Sequence, residues 1–129
     1  MPVNYAVEKI GAVCKNNLAV SPGWFPGLSH VEMVEQVAAY GFRAFENLGA
    51  RNWEDRAAVR AKCEELGVSV GAVGSSGTLV GDGPVNAAFH AQFVAEIRDT
   101  IGKARELGTS TLLAVTGAEI GRASCRERV

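Results

Sequence analysis

The stretch SPGWFPGLSHVEMVEQVAAYGFRAFENLGA, Ser21 to Ala50, sets out in order a breaker-rich loop, a helical repeat, a glycine and a β-prone run. Pro22, Gly23, Pro26 and Gly27 end the short apolar run Leu18-Ala19-Val20, which reads as a first strand. Ser29 followed by Glu32 has capping-box spacing, and Val31, Val34, Val37 and Ala38 recur at helical intervals up to Tyr40. Gly41 is placed to take the left-handed conformation that closes a helix. Phe42 to Glu46 then reads as a second strand.

The same unit recurs downstream. Asn52 is the expected cap of a second helix with Ala57, Ala61 and Leu66 on one face, ending at Gly67. Val68 to Val73 reads as strand three, and GSSGTLVGDGP, Gly74 to Pro84, as a loop. Asn86 opens the longest helix, whose Phe89, Phe93, Ile97, Ile101 and Ala104 keep close to an i, i+4 spacing until Gly108. Thr111 to Val115 is strand four, apolar enough to be buried on both faces. Strand starts fall about 25 residues apart, room for a crossover helix but not a hairpin, so neighbouring strands are expected to be parallel. The expected class is α/β, about four parallel strands with three crossover helices. That pattern opens either a doubly wound sheet or a (β/α)8 barrel, and periodicity does not separate them. In both, function collects at the carboxyl ends of the strands. Here these are Ser21 to Phe25, Glu46 to Arg51, Val73 to Gly77 and Thr116 to Ala118.

Composition narrows the partners. The chain has 129 residues, 47% hydrophobic and 21% charged, as expected of one globular unit. Thirteen basic and fourteen acidic residues give a formal charge of -1, with no basic run to follow a phosphate backbone, so nucleic acid is not an expected partner. The first residues lack the basic start and apolar stretch of a signal peptide, and no segment approaches the roughly 20 apolar residues of a membrane span. A cytoplasmic protein without a membrane partner is expected. Cys14, Cys63 and Cys125 match neither a disulfide framework nor a metal-binding spacing, and Cys63 reads as helix filling.

Glu46, at the end of strand two, is the main site candidate. A carboxylate there points into the mouth of a sheet or barrel, where it can orient a hydroxyl or move a proton. A loop or helix-capping salt bridge is its plainer role. Trp24 and Phe25 on the first loop make an apolar wall that could exclude water from a ligand, or a simple hydrophobic plug. Gly74, Gly77, Gly81 and Gly83 could offer backbone amides to an anion, but their spacing matches no phosphate-binding motif, and a lid or connector is the simpler reading. His30 and His90 lie on helices rather than strand ends and read as solvated. No set of His, Asp or Glu has metal-site spacing, so no metal ligand is expected in this chain.

The last ten residues, IGRASCRERV, Ile120 to Val129, carry no core-facing periodicity. They match letter for letter the translation of a common short-read sequencing adapter, ATC-GGA-AGA-GCG-TCG-TGT-AGG-GAA-AGA-GTG. Residues 119–129 are therefore expected to be a non-native tail and residues 1–118 a partial domain, with no role for Cys125 or its arginine neighbours.

At SPGWFPGLSHVEMVEQVAAYGFRAFENLGARNWED, CEELGVSVGAVG and ARELGTSTLLAVTG the chain resembles the hydroxypyruvate isomerase branch of the xylose-isomerase-like TIM barrels. The resemblance spans about residues 17 to 118. It implies the N-terminal half of a (β/α)8 barrel from a sugar isomerase or epimerase. Such enzymes bind an open-chain sugar or hydroxy-carbonyl substrate and shuttle a proton through an enediolate, usually with a divalent metal such as Mg or Mn. Their catalytic glutamates and metal ligands come from strands five to eight. The resemblance thus places no catalytic residue in this segment, leaves the segment itself inactive, and carries over Glu46 alone, as a wall of the substrate site. Many relatives have a His at the end of strand three, where this chain has Val73-Gly74-Ser75. An endonuclease on the same barrel and a non-enzymatic doubly wound binding module are the alternatives, and a homo-oligomer is left open.

Overall fold

The computed structural model describes residues 19–21, 23, 25–75, 84 and 86–114. Trp24, most of the glycine-rich loop, the end of strand four and the C-terminal tail lie outside the described residues.

Each βα unit follows from local chemistry. Strand β1, Ala19–Val20, leads to helix α1, His30–Ala39. The Ser29 side chain accepts from the Glu32 amide at 3.3 Å, and the Glu32 carboxylate accepts from the Ser29 amide at 2.8 Å, so two otherwise unpaired amides are satisfied. Strand β2, Ala44–Phe45, is followed by a short 3-10 turn, Ala50–Asn52, and helix α2, Arg56–Leu66. Strands β3, Ser69–Val70, and β4, Val73–Gly74, come next. A 3-10 turn, Ala87–Phe89, runs into helix α3, His90–Glu106, and β5, Leu112–Leu113, closes the described part. Gly41, Gly67 and Gly108 have φ of +80°, +66° and +79°, so all three glycines expected after helices are in the left-handed region, where a Cβ is strained.

All strand pairs are parallel. β2 lies between β1 and β3, with Ala19 opposite Ala44 opposite Ser69, and Val20 opposite Phe45 opposite Val70. β4 pairs with β5, Val73 opposite Leu112. The third extended segment thus carries two ladders, with a change of phase between them. The Ser69 and Gly71 amides donate toward β2, to Arg43 O and Phe45 O, whereas the Val73 and Ser75 amides donate toward β5, to Thr111 O and Leu113 O. Amides two apart should keep donating to one side, so one extra residue, a bulge, lies between Gly71 and Val73.

The helices cover one face of this sheet. Phe45, Val70 and Val73, at 7% exposure or less, pack with Val34 and Val37 of α1, Val59 and Cys63 of α2, and Ala104 and Leu107 at the end of α3. Ala19 and Ser69, on the opposite face, are exposed, and Ala44 is half-buried. Surface pairs tie the helices together: Lys62 Nζ of α2 reaches Glu35 of α1 at 3.3 Å, and Arg56 Nε of α2 reaches Glu106 of α3 at 2.6 Å.

Three helix expectations need correcting. The buried face of α2 is Val59 and Cys63, while Ala57, Ala61 and Leu66 are exposed. An alanine brings too little area to orient a helix against a larger valine. Asn52 lies in the 3-10 turn, and Asp55 occupies the cap position of α2 without a capping hydrogen bond. In α3 the fully buried residues are Thr100 and Ala104, with Ile101 38% exposed. A strict i, i+4 stripe turns about 40° per step, so Ile101 lies about 120° around the helix from Phe89. Cys63 is buried as expected, and burial pushes its thiol up to about 11.

Candidate functional site

The carboxyl edge of the parallel sheet is where strand ends and loops converge. Glu46 is held there by its backbone: its amide donates to Val20 O at 3.1 Å, continuing the β1–β2 ladder one residue past β2. Side chains alternate along a strand, so with Phe45 against the helices Glu46 stands on the open face. It is exposed, and its carboxylate has no hydrogen bond or ion pair among the described residues. The salt-bridge role considered for it is therefore not seen there.

Two glycines of the third segment lie beneath this edge. A Cβ on Gly71 would stand 2.9 Å from Glu46 Cγ and 3.2 Å from its Oε1. A Cβ on Gly74 would stand 2.7 Å from Leu48 O, the carbonyl that accepts the Gly74 amide at 3.0 Å. The loop after β2 thus folds down onto strand three, with Asn47 Oδ1 accepting from the Gly49 amide at 2.8 Å to shape the turn.

Phe25 goes elsewhere. Its ring stacks on Tyr40 at 5.8 Å, and with Val20, Tyr40 and Phe42 it lines an apolar cavity of about 430 Å³. Tyr40 and Phe42 precede β2, whereas Glu46 follows it, so this wall is not built around the carboxylate. Trp24 lies outside the described residues.

His30 is not the solvated helix residue expected. Its Nδ1–H donates to Asp55 Oδ1 at 2.7 Å, and its ring lies flat on Trp53, 4.0 Å between centroids and 14° between planes. Trp53 in turn stacks on Phe45 at 6.1 Å. This cluster joins the starts of α1 and α2. Asp55 is 25 residues from His30, and no local spacing announces the pair. A second polar group lies by the end of β4: Arg51 Nη1 donates to Thr100 Oγ1 at 3.4 Å, and Thr100 Oγ1 donates to Ser75 O at 3.1 Å. The buried Ser75 hydroxyl has no protein partner among the described residues. Those residues contain no group of three or more His, Cys, Asp or Glu that could hold a metal ion. No helix among them is long and apolar enough to cross a membrane.

No family model matches the chain, and no curated protein matches it in sequence. Among solved structures, a D-psicose 3-epimerase crystallised in the presence of D-fructose superposes with a TM-score of 0.56 at 19% identity. The match covers 73% of this chain and 35% of the epimerase. The chain folds as part of a (β/α)8 barrel. Periodicity left barrel and doubly wound sheet open, and the superposition, together with the parallel order of the strands, bears out the barrel that the family resemblance implied. In this partial barrel the exposed face of Ala19, Ala44, Ser69 and Glu46 corresponds to the interior, and the helix-covered face to the outer ring. The chain spans about a third of the epimerase it matches.

Proposed function

We propose that this chain is the N-terminal part of a sugar isomerase or epimerase that acts on an open-chain hydroxy-carbonyl substrate, of the kind hydroxypyruvate isomerases handle. The observation that carries the reading is Glu46, an exposed carboxylate without a partner among the described residues, on the interior face of a barrel at the carboxyl end of its strand. An ionised carboxylate so placed accepts hydrogen bonds from substrate hydroxyls and fixes which carbon faces the proton-transferring groups. The fold likeness to a sugar epimerase solved with D-fructose supports a hydroxy-carbonyl sugar as the substrate class.

Shifting a carbonyl, or inverting the centre beside it, removes a proton from one carbon and returns one, so a base and an acid must flank an enediolate. By the family resemblance those groups belong to the second half of the barrel, on strands that follow Leu112–Leu113. By the same resemblance a divalent metal, if the parent uses one, would be held there too. The segment's own part is to orient the substrate.

The test is Glu46→Gln in the enzyme that completes this segment. We expect KM for the substrate to rise about tenfold or more, the loss of one charge-assisted hydrogen bond of about 1.5–3 kcal/mol, with the far-UV circular dichroism unchanged. Wild-type KM and kcat in that variant would return Glu46 to a structural role.

A further inference from the structure

Gly71 is a glycine that its own backbone does not require. Its φ is not among the positive values, so the bulge beside it is not of the kind that needs glycine. Inside a strand, glycine loses more chain entropy than alanine and gives neighbours nothing to pack against. What does require a missing side chain is the close approach of Glu46. A Cβ at position 71 would lie 2.9 Å from Glu46 Cγ, nearer than real Cβ atoms come, and 3.2 Å from the carboxylate oxygen Oε1. The contact is fixed from below, because the Gly71 amide donates to Phe45 O at 2.8 Å and holds the two strands in register at that level.

We infer that Gly71 is the positioning residue for Glu46. The bare glycine is a bed on which the glutamate side chain lies across strand three, so its carboxylate is aimed over the third strand rather than back toward β1. Past Gly71 the bulge turns the Val73 and Ser75 amides toward β5, while the Gly74 amide still reaches Leu48 O in the loop after β2. Any residue with a Cβ would turn Glu46 away and move its oxygens relative to a bound hydroxyl. The inference deepens the proposed reading of Glu46 as a substrate contact, yet its geometric half stands without that reading.

The experiment is a double-mutant cycle on the 129-residue chain: wild type, Gly71→Ala, Glu46→Ala and the double variant, compared by denaturant unfolding. Gly71→Ala should lower the midpoint when Glu46 is present, and leave it unchanged or raise it when Glu46 is alanine. The coupling should be about threefold or more in the unfolding equilibrium, as for side chains in contact. Should Gly71→Ala fail to fold, folding of the double variant supports the inference, while failure of both assigns the crowding to the Phe45 carbonyl and overturns it. Additive effects overturn it as well. In the completed enzyme, Gly71→Ala should raise KM with kcat little changed. Coupling without a KM effect would leave the positioning intact and refute the substrate reading, whereas absence of coupling refutes the positioning whatever the activity.

Discussion

Raising the pH toward 11 should destabilise this chain through one buried thiol. Cys63 is 4% exposed on the inner face of α2, and burial holds its thiol up at about 11, against an ordinary 9.0, with Glu64 adding a smaller push. The folded-state value lies above the unfolded one. Protonated Cys63 therefore contributes fully below about pH 9, and the contribution falls as pH climbs through the folded value. In that window the unfolded chain has given up a proton that the native chain keeps, so stability declines with pH. Each tenfold difference in proton affinity is about 1.4 kcal/mol, which makes the full loss about 2–3 kcal/mol. Denaturant midpoints of wild type and Cys63→Ala, measured from neutral pH upward, separate this from other titrations because Cys14 and Cys125 are common to both. The wild type should lose its stability lead across the window, and Ellman's reagent should find Cys63 unreactive in the native state. Parallel curves for the two proteins would refute the burial argument.

Two other outcomes follow from the same geometry. Phe45→Ala should cost about 3–5 kcal/mol, because the ring is 1% exposed, stacks on Trp53 and sits between sheet and helices; a denaturant titration returning under about 1 kcal/mol would mean that the core is loosely packed there. The chain should also self-associate: β1 and β5 each pair on one side only among the described residues, and Leu113 is 48% exposed. Sedimentation velocity showing a monomer across a wide concentration range would count against open edges.

The frame was legible where chemistry is local. A helix that ends must satisfy its last carbonyls, and a glycine in the left-handed region does so within a few residues, so Gly41, Gly67 and Gly108 mark three helix ends in sequence and in structure alike. The Ser29–Glu32 box and the Asn86 cap, whose side chain accepts from the Ala88 amide, are local in the same sense. What misled was area. Ala57 and Ala61 keep helical spacing as faithfully as Val59 and Cys63 do, but the two larger side chains remove more apolar surface from water and decide which face turns inward. Barrel against open sheet was not legible from periodicity, which does not encode closure, but the family resemblance implied the barrel and the superposition bears it out.

The site divides along the same line. Glu46 could be found because a strand's carboxyl end is a position in the sequence, and a carboxylate there is readable once the strand is placed. Its bed could not. Gly71 stands in VSVGAVG, where a glycine serves equally as a bulge, a kink or a close approach, and only the register between β2 and β3 shows which side chain crosses it. The His30–Asp55 pair escaped for a related reason: two polar residues on separate helices are solvated until packing removes the water between them. Contacts made by topology are thus invisible to spacing, and in a parallel barrel these are the contacts that build the mouth. Each strand brings one or two residues to it, and their neighbours at that level belong to strands about 25 residues away. A single glutamate at a strand end therefore gives the address of a candidate site, while the orientation proposed for it depends on a residue one βα unit later.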